Sequence, residues 1–301
     1  MSQEARSNRP GLGIAAVCLG VLCLASMDAV AKWLGESYSV VQIVFFRTLF
    51  ALPPVALLAW VSGGFHLLRP VRLRVHLLRG AIGGATIVLF FTALRYLPLA
   101  TVWTIAFSAP LIVTALSRPL LGEPVGVRRW AAVLLGFAGV LVVIRPGTAE
   151  FAWAMLLPLG GALSYALLLM TARRFAGTET APAMVLFNML VPLVVASAVT
   201  PAVWQPPVGW AWAGFVAAGL LGGSAMIFLT LGYRLAPAAV VAPFDYTALI
   251  WSVALGWWIW GDWPTPATWA GAALIVAAGL YVAYRETRVS RQAKTAATDA
   301  R

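Results

Sequence analysis

Gly80-Ala81-Ile82-Gly83-Gly84 recurs 139 positions later as Gly219-Leu220-Leu221-Gly222-Gly223. The register holds outward from this stretch without a gap. Arg95 meets Arg234, Pro98 meets Pro237, Phe107-Ser108-Ala109 meets Tyr246-Thr247-Ala248, Gly122-Glu123 meets Gly261-Asp262, and Trp130-Ala131 meets Trp269-Ala270. Residues 80–144 match their shifted copy at seventeen of 65 positions, against roughly a tenth expected by chance in a chain so rich in Ala, Leu and Gly. The repeated unit is almost entirely apolar. A duplicated hydrophobic unit with an odd number of spans inserts in opposite orientations, an arrangement common among secondary transporters.

Composition excludes most other classes. Apolar residues make up 61% of the chain and charged residues 10%, where a soluble domain carries about 25% charged. Mean hydropathy is +0.89. The apolar residues fall in blocks near the ~20 residues that a helix needs to cross the hydrocarbon layer, and backbone groups in lipid must be satisfied within the segment, so each block reads as a helix. Ten spans follow, near 11–34, 38–62, 76–95, 98–117, 128–145, 151–171, 182–200, 208–232, 237–260 and 267–284. The expected fold is an all-α integral membrane protein of ten transmembrane helices in two inverted five-helix repeats. Residues 1–10 form an N-terminal tail, 11–145 the first repeat, 151–284 the second and 285–301 a basic C-terminal tail.

The net charge of +11 is distributed by side. Numbering the loops from a cytoplasmic N-terminus gives seventeen Lys and Arg to the cytoplasmic face and only Lys32, Arg95 and Arg145 to the other, with Arg47 inside a span. This bias places both termini in the cytoplasm of a cell inner-membrane protein. The basic residues are then a topology device facing lipid headgroups, and no aromatic–basic module for nucleic acid accompanies them. Arg6, Arg9 and Ala29-Val30-Ala31 also suit a cleaved signal peptide, but losing the first span would spoil the five-plus-five symmetry.

Ionisable groups within the membrane are costly and are functional candidates by default. Asp28 and Lys32 share a face of span 1, Arg47 lies in span 2 and Asp245 in span 9. Asp28, Arg47 and Asp245 fall in a band near the midplane, where substrates of inverted-repeat carriers bind. Asp28 pairing with Lys32 or Arg47 is the structural alternative. Asp245 has three readings: a site for a cationic group, a carrier of a coupling proton, or a partner of Arg47. Gln42, Trp103, Ser108, Tyr165, Asn188, Tyr246 and Trp251 lie at similar depth and suit a cavity for a flat or amphipathic molecule. Pro110 and Pro243 read as hinges in duplicated spans, with a static kink as the alternative. Glu123 and Asp262 read as caps for the helices that follow them. His66 and His76 fall in a basic loop without an acid nearby in sequence, and no metal site is expected. No phosphate-binding loop, nucleophile elbow or zinc-ligand motif occurs, which points away from an enzyme and from a resident cofactor.

The ten spans, the Gly-Glu and Gly-Asp steps, Met27-Asp28-Ala29-Val30-Ala31-Lys32-Trp33, Phe46-Arg47, Gly136-Phe137-Ala138-Gly139-Val140 and Pro243-Phe244-Asp245-Tyr246 together resemble the EamA type of the drug/metabolite transporter superfamily. The resemblance covers about residues 10–285. It implies alternating access around a central cavity that takes a small-molecule substrate, with spans 5 and 10 peripheral and placed to mediate a homodimer. Members similar in spans 1 and 2 include carriers proposed for riboflavin or S-adenosylmethionine uptake. The expected function is a secondary transporter of a small organic metabolite, with a cofactor-like cargo as the narrower alternative and a non-transporting membrane scaffold as the reading from another class.

Overall fold

The structure, a computed structural model, describes residues 9–122, 125–175 and 178–299. Its regular structure is helical: α1 (Pro10–Gly35), α2 (Val40–Ser62), α3 (Leu73–Tyr96), α4 (Leu99–Ala106), α5 (Ala109–Leu121), α6 (Val127–Ile144), α7 (Leu156–Phe175), α8 (Ala181–Val199), α9 (Ala211–Leu235), α10 (Ala238–Val241), α11 (Thr247–Trp260) and α12 (Pro266–Asp299). Among the described residues, nine segments are long and apolar enough to cross a bilayer, α4 and α5 together making one. The expected ninth span, 237–260, is broken into α10, a tight turn at Ala242–Tyr246 and α11, whose 14 residues fall short of a crossing by themselves.

The chemistry of the break is that of proline. Pro243 opens the tight turn and Pro110 opens α5, each at a first-turn position where no helical N–H is lost. Before Pro110 the chain tightens, and Ser108 N–H donates to the Ile105 carbonyl at 3.0 Å. The two breaks fall on the repeat-equivalent stretches around Phe107-Ser108 and Tyr246-Thr247. Pro158 lies in the first turn of α7, where it costs no hydrogen bond. The helices after the breaks end alike, on Gly122 and Gly261, both at φ 71°, a left-handed conformation that glycine adopts without penalty. Asp262 does not cap α12. Thr265 does, its Oγ1 accepting from Thr268 N–H at 3.2 Å. Glu123 lies outside the described residues. The basic tail continues α12 as helix to Asp299, through a stretch without Gly or Pro.

Contacts at the helix ends fix directions. Arg9 N–H, just before α1, donates to the Leu235 carbonyl at the end of α9, while Trp33 near the other end of α1 covers Gly214 near the start of α9. These two helices are therefore antiparallel. Lys32, near the end of α1, donates to the Leu97 carbonyl just past α3, so α3 runs with α1. One end of the bundle, carrying Arg9, Arg72 and Arg234, is its basic end; Lys32 and Asp262 mark the far end.

Inter-helix packing comes in matched pairs: α1 on α9 and α7 on α3, α2 on α9 and α8 on α3, α1 on α11 and α7 on α5, with α2 on α8, α4 on α11 and α6 on α12. The glycines explain the second set. A Cβ on Gly219 would lie 2.3 Å from Phe50 Cβ and 2.9 Å from the Arg47 carbonyl; one on Gly80 would lie 2.4 Å from Val191 and 2.6 Å from the Phe187 carbonyl. Gly223 faces Pro54, and Gly84 faces Pro192. The glycine runs thus draw α9 onto α2 and α3 onto α8, where small residues permit backbones to close. The α6–α12 seam is built the same way within one chain, with Gly139 against the Gly271 carbonyl.

Gly219→Ala should cost folded protein, read as a lower melting midpoint and yield in detergent, because backbone atoms of α2 must retreat. Gly160→Ala, whose Cβ would meet only Leu89 at 3.5 Å, should be neutral or stabilising by about 0.5–1 kcal/mol.

Candidate functional site

Arg47 is set by its neighbour. The Phe46 ring sits among Phe45, Phe50, Trp204, Trp212 and Phe215, with centroids 4.6 to 6.0 Å away. That cluster fixes the rotation of α2 and turns the next side chain toward α1 and α9. The Arg47 guanidinium lies buried against Gly222, donates from Nε to Met27 Sδ at 3.2 Å and rests 5.6 Å from the Phe91 ring centre. Its Nη1 is buried without a partner. Asp28 is buried on α1 and within charge range of Arg47, but the two do not close into an ion pair. Trp103 stands beside Asp28, its buried Nε1 facing the carboxyl but short of a full hydrogen bond. Ser108, Asn188 and Trp251 each hold a further buried polar atom without a partner. Buried polar groups are ordinarily hydrogen-bonded, so each of these atoms is an exception, shared with His76 Nδ1, Arg79 Nε and Thr200 Oγ1.

Asn188 occupies the matching place in the other half. It lies over Gly83, where a Cβ would fall 1.7 Å from its Oδ1, as Arg47 lies over Gly222. The line of side chains continues from Trp103 to Phe107 and on to Tyr246, ring to ring at 5.7 and 4.6 Å. Tyr246 presents its hydroxyl to the Gly279 position on α12. Asp245 is neither joined to Arg47 nor buried with it. It accepts a 2.6 Å hydrogen bond from Tyr233 and lies within charge range of Tyr165. Tyr165 and Tyr233 are 45% and 41% exposed. They come from α7 and α9, and both lie within charge range of Asp245 in the tight turn between α10 and α11. Sequence reasoning missed Tyr233, since an aromatic beside Arg234 at a span end reads as an interface anchor.

The remaining polar residues tie the ends. Lys32 does not pair with Asp28. Its Nζ meets Asp262 Oδ2 at 2.7 Å and lies 4.8 Å from the Trp260 ring centre, while Trp260 donates to Glu36 at 2.9 Å. The far ends of α1, α3 and α11 are thus latched together. Gln42 engages the Gln205 backbone with both its amide nitrogen, donating at 2.6 Å, and its oxygen, accepting at 3.0 Å, and is a structural pin. His76 does have an acid, from 103 residues away: Glu179 at 2.8 Å, with both side chains wholly buried. Glu179 also accepts from Val71 and Arg72 N–H at 3.1 and 2.8 Å, which closes the basic ends of α3 and α8. Among the described residues no cluster of metal-ligating side chains forms.

A bundle of apolar helices, two of its spans broken, with buried charge at its centre, defines a multi-pass membrane carrier. The EamA-like transporter family model matches residues 11–145 and again 152–284, and the chain belongs to that family. It is 28% identical to an S-adenosylmethionine uptake transporter of Rickettsia felis, over 92% of this chain and 94% of the relative. It is 30% identical to a riboflavin transporter of Rhizobium johnstonii, over 95% of each. A solved crystal structure matches with a TM-score of 0.61 over 92% of this chain and 96% of that one, at 23% identity, which speaks for the fold alone. The family and the names of these relatives are those of transporters of small molecules, and not of enzymes.

Burial works against the charge of Glu179, yet the His76 side chain and the Val71 and Arg72 N–H groups outweigh it and hold the carboxyl below its ordinary 4.5. A depressed carboxyl contributes stability above its unfolded value and loses it as pH falls through the folded value. Glu179→Gln should therefore lower stability at pH 7 by on the order of 2 kcal/mol. The gap between variant and parent should narrow as pH drops below about 4, read by thermal unfolding in detergent.

Proposed function

We propose that the protein is a secondary carrier of the inner membrane that moves a small organic metabolite by alternating access. In this reading it has ten spans in two inverted five-helix units, 11–145 and 151–284, with both termini cytoplasmic. The opposite directions of the repeat-equivalent helices α3 and α9, the paired packing and the one-sided distribution of basic residues support that arrangement. The basic end is then the cytoplasmic one.

The observation that carries the functional reading is the Arg47–Asp28 pair, buried, within charge range, yet not in contact, with Arg47 Nη1 unpaired. A buried pair offsets its desolvation only when its geometry is close, so one held apart costs stability. Held apart, the guanidinium is available to a carboxylate, phosphate or carbonyl of the substrate, with Trp103, Asn188 and Tyr246 as further candidate contacts. Pro110 and Pro243 act as hinges at the two breaks, and the Lys32–Asp262 latch acts as the gate on the far face. The names of the relatives favour a cofactor-like cargo, riboflavin or S-adenosylmethionine. A homodimer would use the outward faces of α6 and α12, since their glycine faces are spent on each other.

Uptake of labelled riboflavin and S-adenosylmethionine into proteoliposomes tests this. One of them should accumulate inside, and Arg47→Ala should cut the initial rate at least about 10-fold, a loss of ~1.4 kcal/mol, without a matching loss of melting midpoint. Unchanged uptake by Arg47→Ala removes the pair from the site. Uptake no faster than in empty vesicles for either compound favours a scaffold role.

A further inference from the structure

The seam between α6 and α12 is closed by small residues in its middle and open at its basic end. A Cβ on Gly139 would lie 3.0 Å from the Gly271 carbonyl, and one on Gly136 would lie 3.1 Å from Ala278 Cβ, so the two helices pack closely and run in opposite directions. That brings the start of α6 beside Arg285, where the crossing stretch of α12 ends. A cavity of about 370 Å³ remains there, lined by Gly126, Val127, Arg128, Arg129 and Arg285, within the ~300–1,000 Å³ of small-ligand sites. Three arginines from two distant parts of the chain thus border one space. Arg128 and Arg285 take part in none of the ion pairs among the described residues. Like charges around one cavity raise one another's energy, and an anion between them relieves it.

The kind of anion follows from depth and surroundings. Val127 opens the bilayer-crossing stretch of α6 and Arg285 closes that of α12, so the cavity lies at headgroup level. Below it α6 turns apolar side chains outward: Val127 and Leu134, at i and i+7 on one face, are 86% and 66% exposed. Phosphate above and acyl chain below is the layout of a phospholipid. Charge selects among phospholipids. Residues 118–129 and 285–294 hold seven basic side chains against two acids, Glu123 and Glu286. A headgroup that carries an ammonium would set it among like charges, and one without it escapes that cost. Guanidinium groups grip phosphate through paired hydrogen bonds. We propose that Arg128, Arg129 and Arg285 form a binding site for the phosphate of an anionic phospholipid, phosphatidylglycerol or cardiolipin, in the leaflet at the basic end. The site lies at the rim of the outward face that a homodimer would use, and it stands whether or not the protein is a carrier.

Native mass spectrometry and thermal unfolding of the full chain in detergent, with added lipid, test the site. Phosphatidylglycerol and cardiolipin should stay bound and raise the melting midpoint, and phosphatidylethanolamine should bind at least about 10-fold more weakly. Arg128→Gln combined with Arg285→Gln should cut the affinity for the anionic lipids at least about 10-fold. Arg69→Gln combined with Arg74→Gln takes the same charge from exposed positions elsewhere at the basic end and should bind as the parent does. Unliganded melting midpoints check that both double variants fold. Glycerol 3-phosphate, which keeps the phosphate and loses the chains, should shift the midpoint far less than the lipids do. An equal shift by glycerol 3-phosphate would make the cavity a site for soluble anions and overturn the lipid assignment. Equal binding of phosphatidylethanolamine, an equal loss in the two double variants, or no loss in either, overturns it as well, and so does failure of both anionic lipids to bind.

Discussion

Everything in this bundle depends on how closely two pairs of helices approach. In lipid there is little hydrophobic gain in bringing apolar helices together, so contact must come from close packing. At Gly80, Gly83 and Gly84 on α3, and at Gly219, Gly222 and Gly223 on α9, the missing side chains let α8 and α2 settle backbone to backbone. Added methyl groups there would lie within 3.2 Å of a neighbouring helix atom in every case. The seam also makes the chemistry: with no Cβ at Gly222 or Gly83, the guanidinium of Arg47 and the amide of Asn188 have somewhere to lie.

The two ends of the molecule are held differently. At the far end Lys32, Asp262, Glu36, Trp260, Gln42 and Gln205 join helices from both halves through charged and polar contacts that are partly solvated. At the basic end the His76–Glu179 clasp is completely buried, while Tyr165 and Tyr233 beside Asp245 are partly exposed. Partly solvated ion pairs contribute little and exchange readily with water, whereas breaking a buried pair leaves an uncompensated charge. The far-end latch is therefore the one suited to opening, and the clasp is suited to holding α3, α7 and α8 as one body.

The architecture was legible because it is written in periods and punctuation. The 139-residue repeat, the apolar blocks and the prolines at 110 and 243 are local signals, and the breaks fell where the prolines stood. The band containing Asp28 and Arg47 followed from counting residues along a helix. The pairings did not follow. Lys32 was set against Asp28 at helical spacing, but its partner is Asp262, 230 residues away. His76 looked isolated because Glu179 reaches it only after α7 has turned back. Asp262 looked like a cap because it follows a glycine, yet a nearer threonine was available to do that work. A single sequence records which residues are costly to bury and not which ones meet. The chain has only ten acidic residues, and the two that find distant basic partners, Asp262 and Glu179, both lie just beyond helix ends.

The last helix has a consequence outside the bilayer. Its 34 residues make a rod of about 51 Å at 1.5 Å per residue, against a hydrocarbon slab of about 30 Å. The crossing stretch ends near Arg285, so about 20 Å of continuous helix stands beyond the slab. A fluorescent protein or affinity handle joined after it would ride on a mast, clear of the headgroups, and report on the carrier without crowding its mouth.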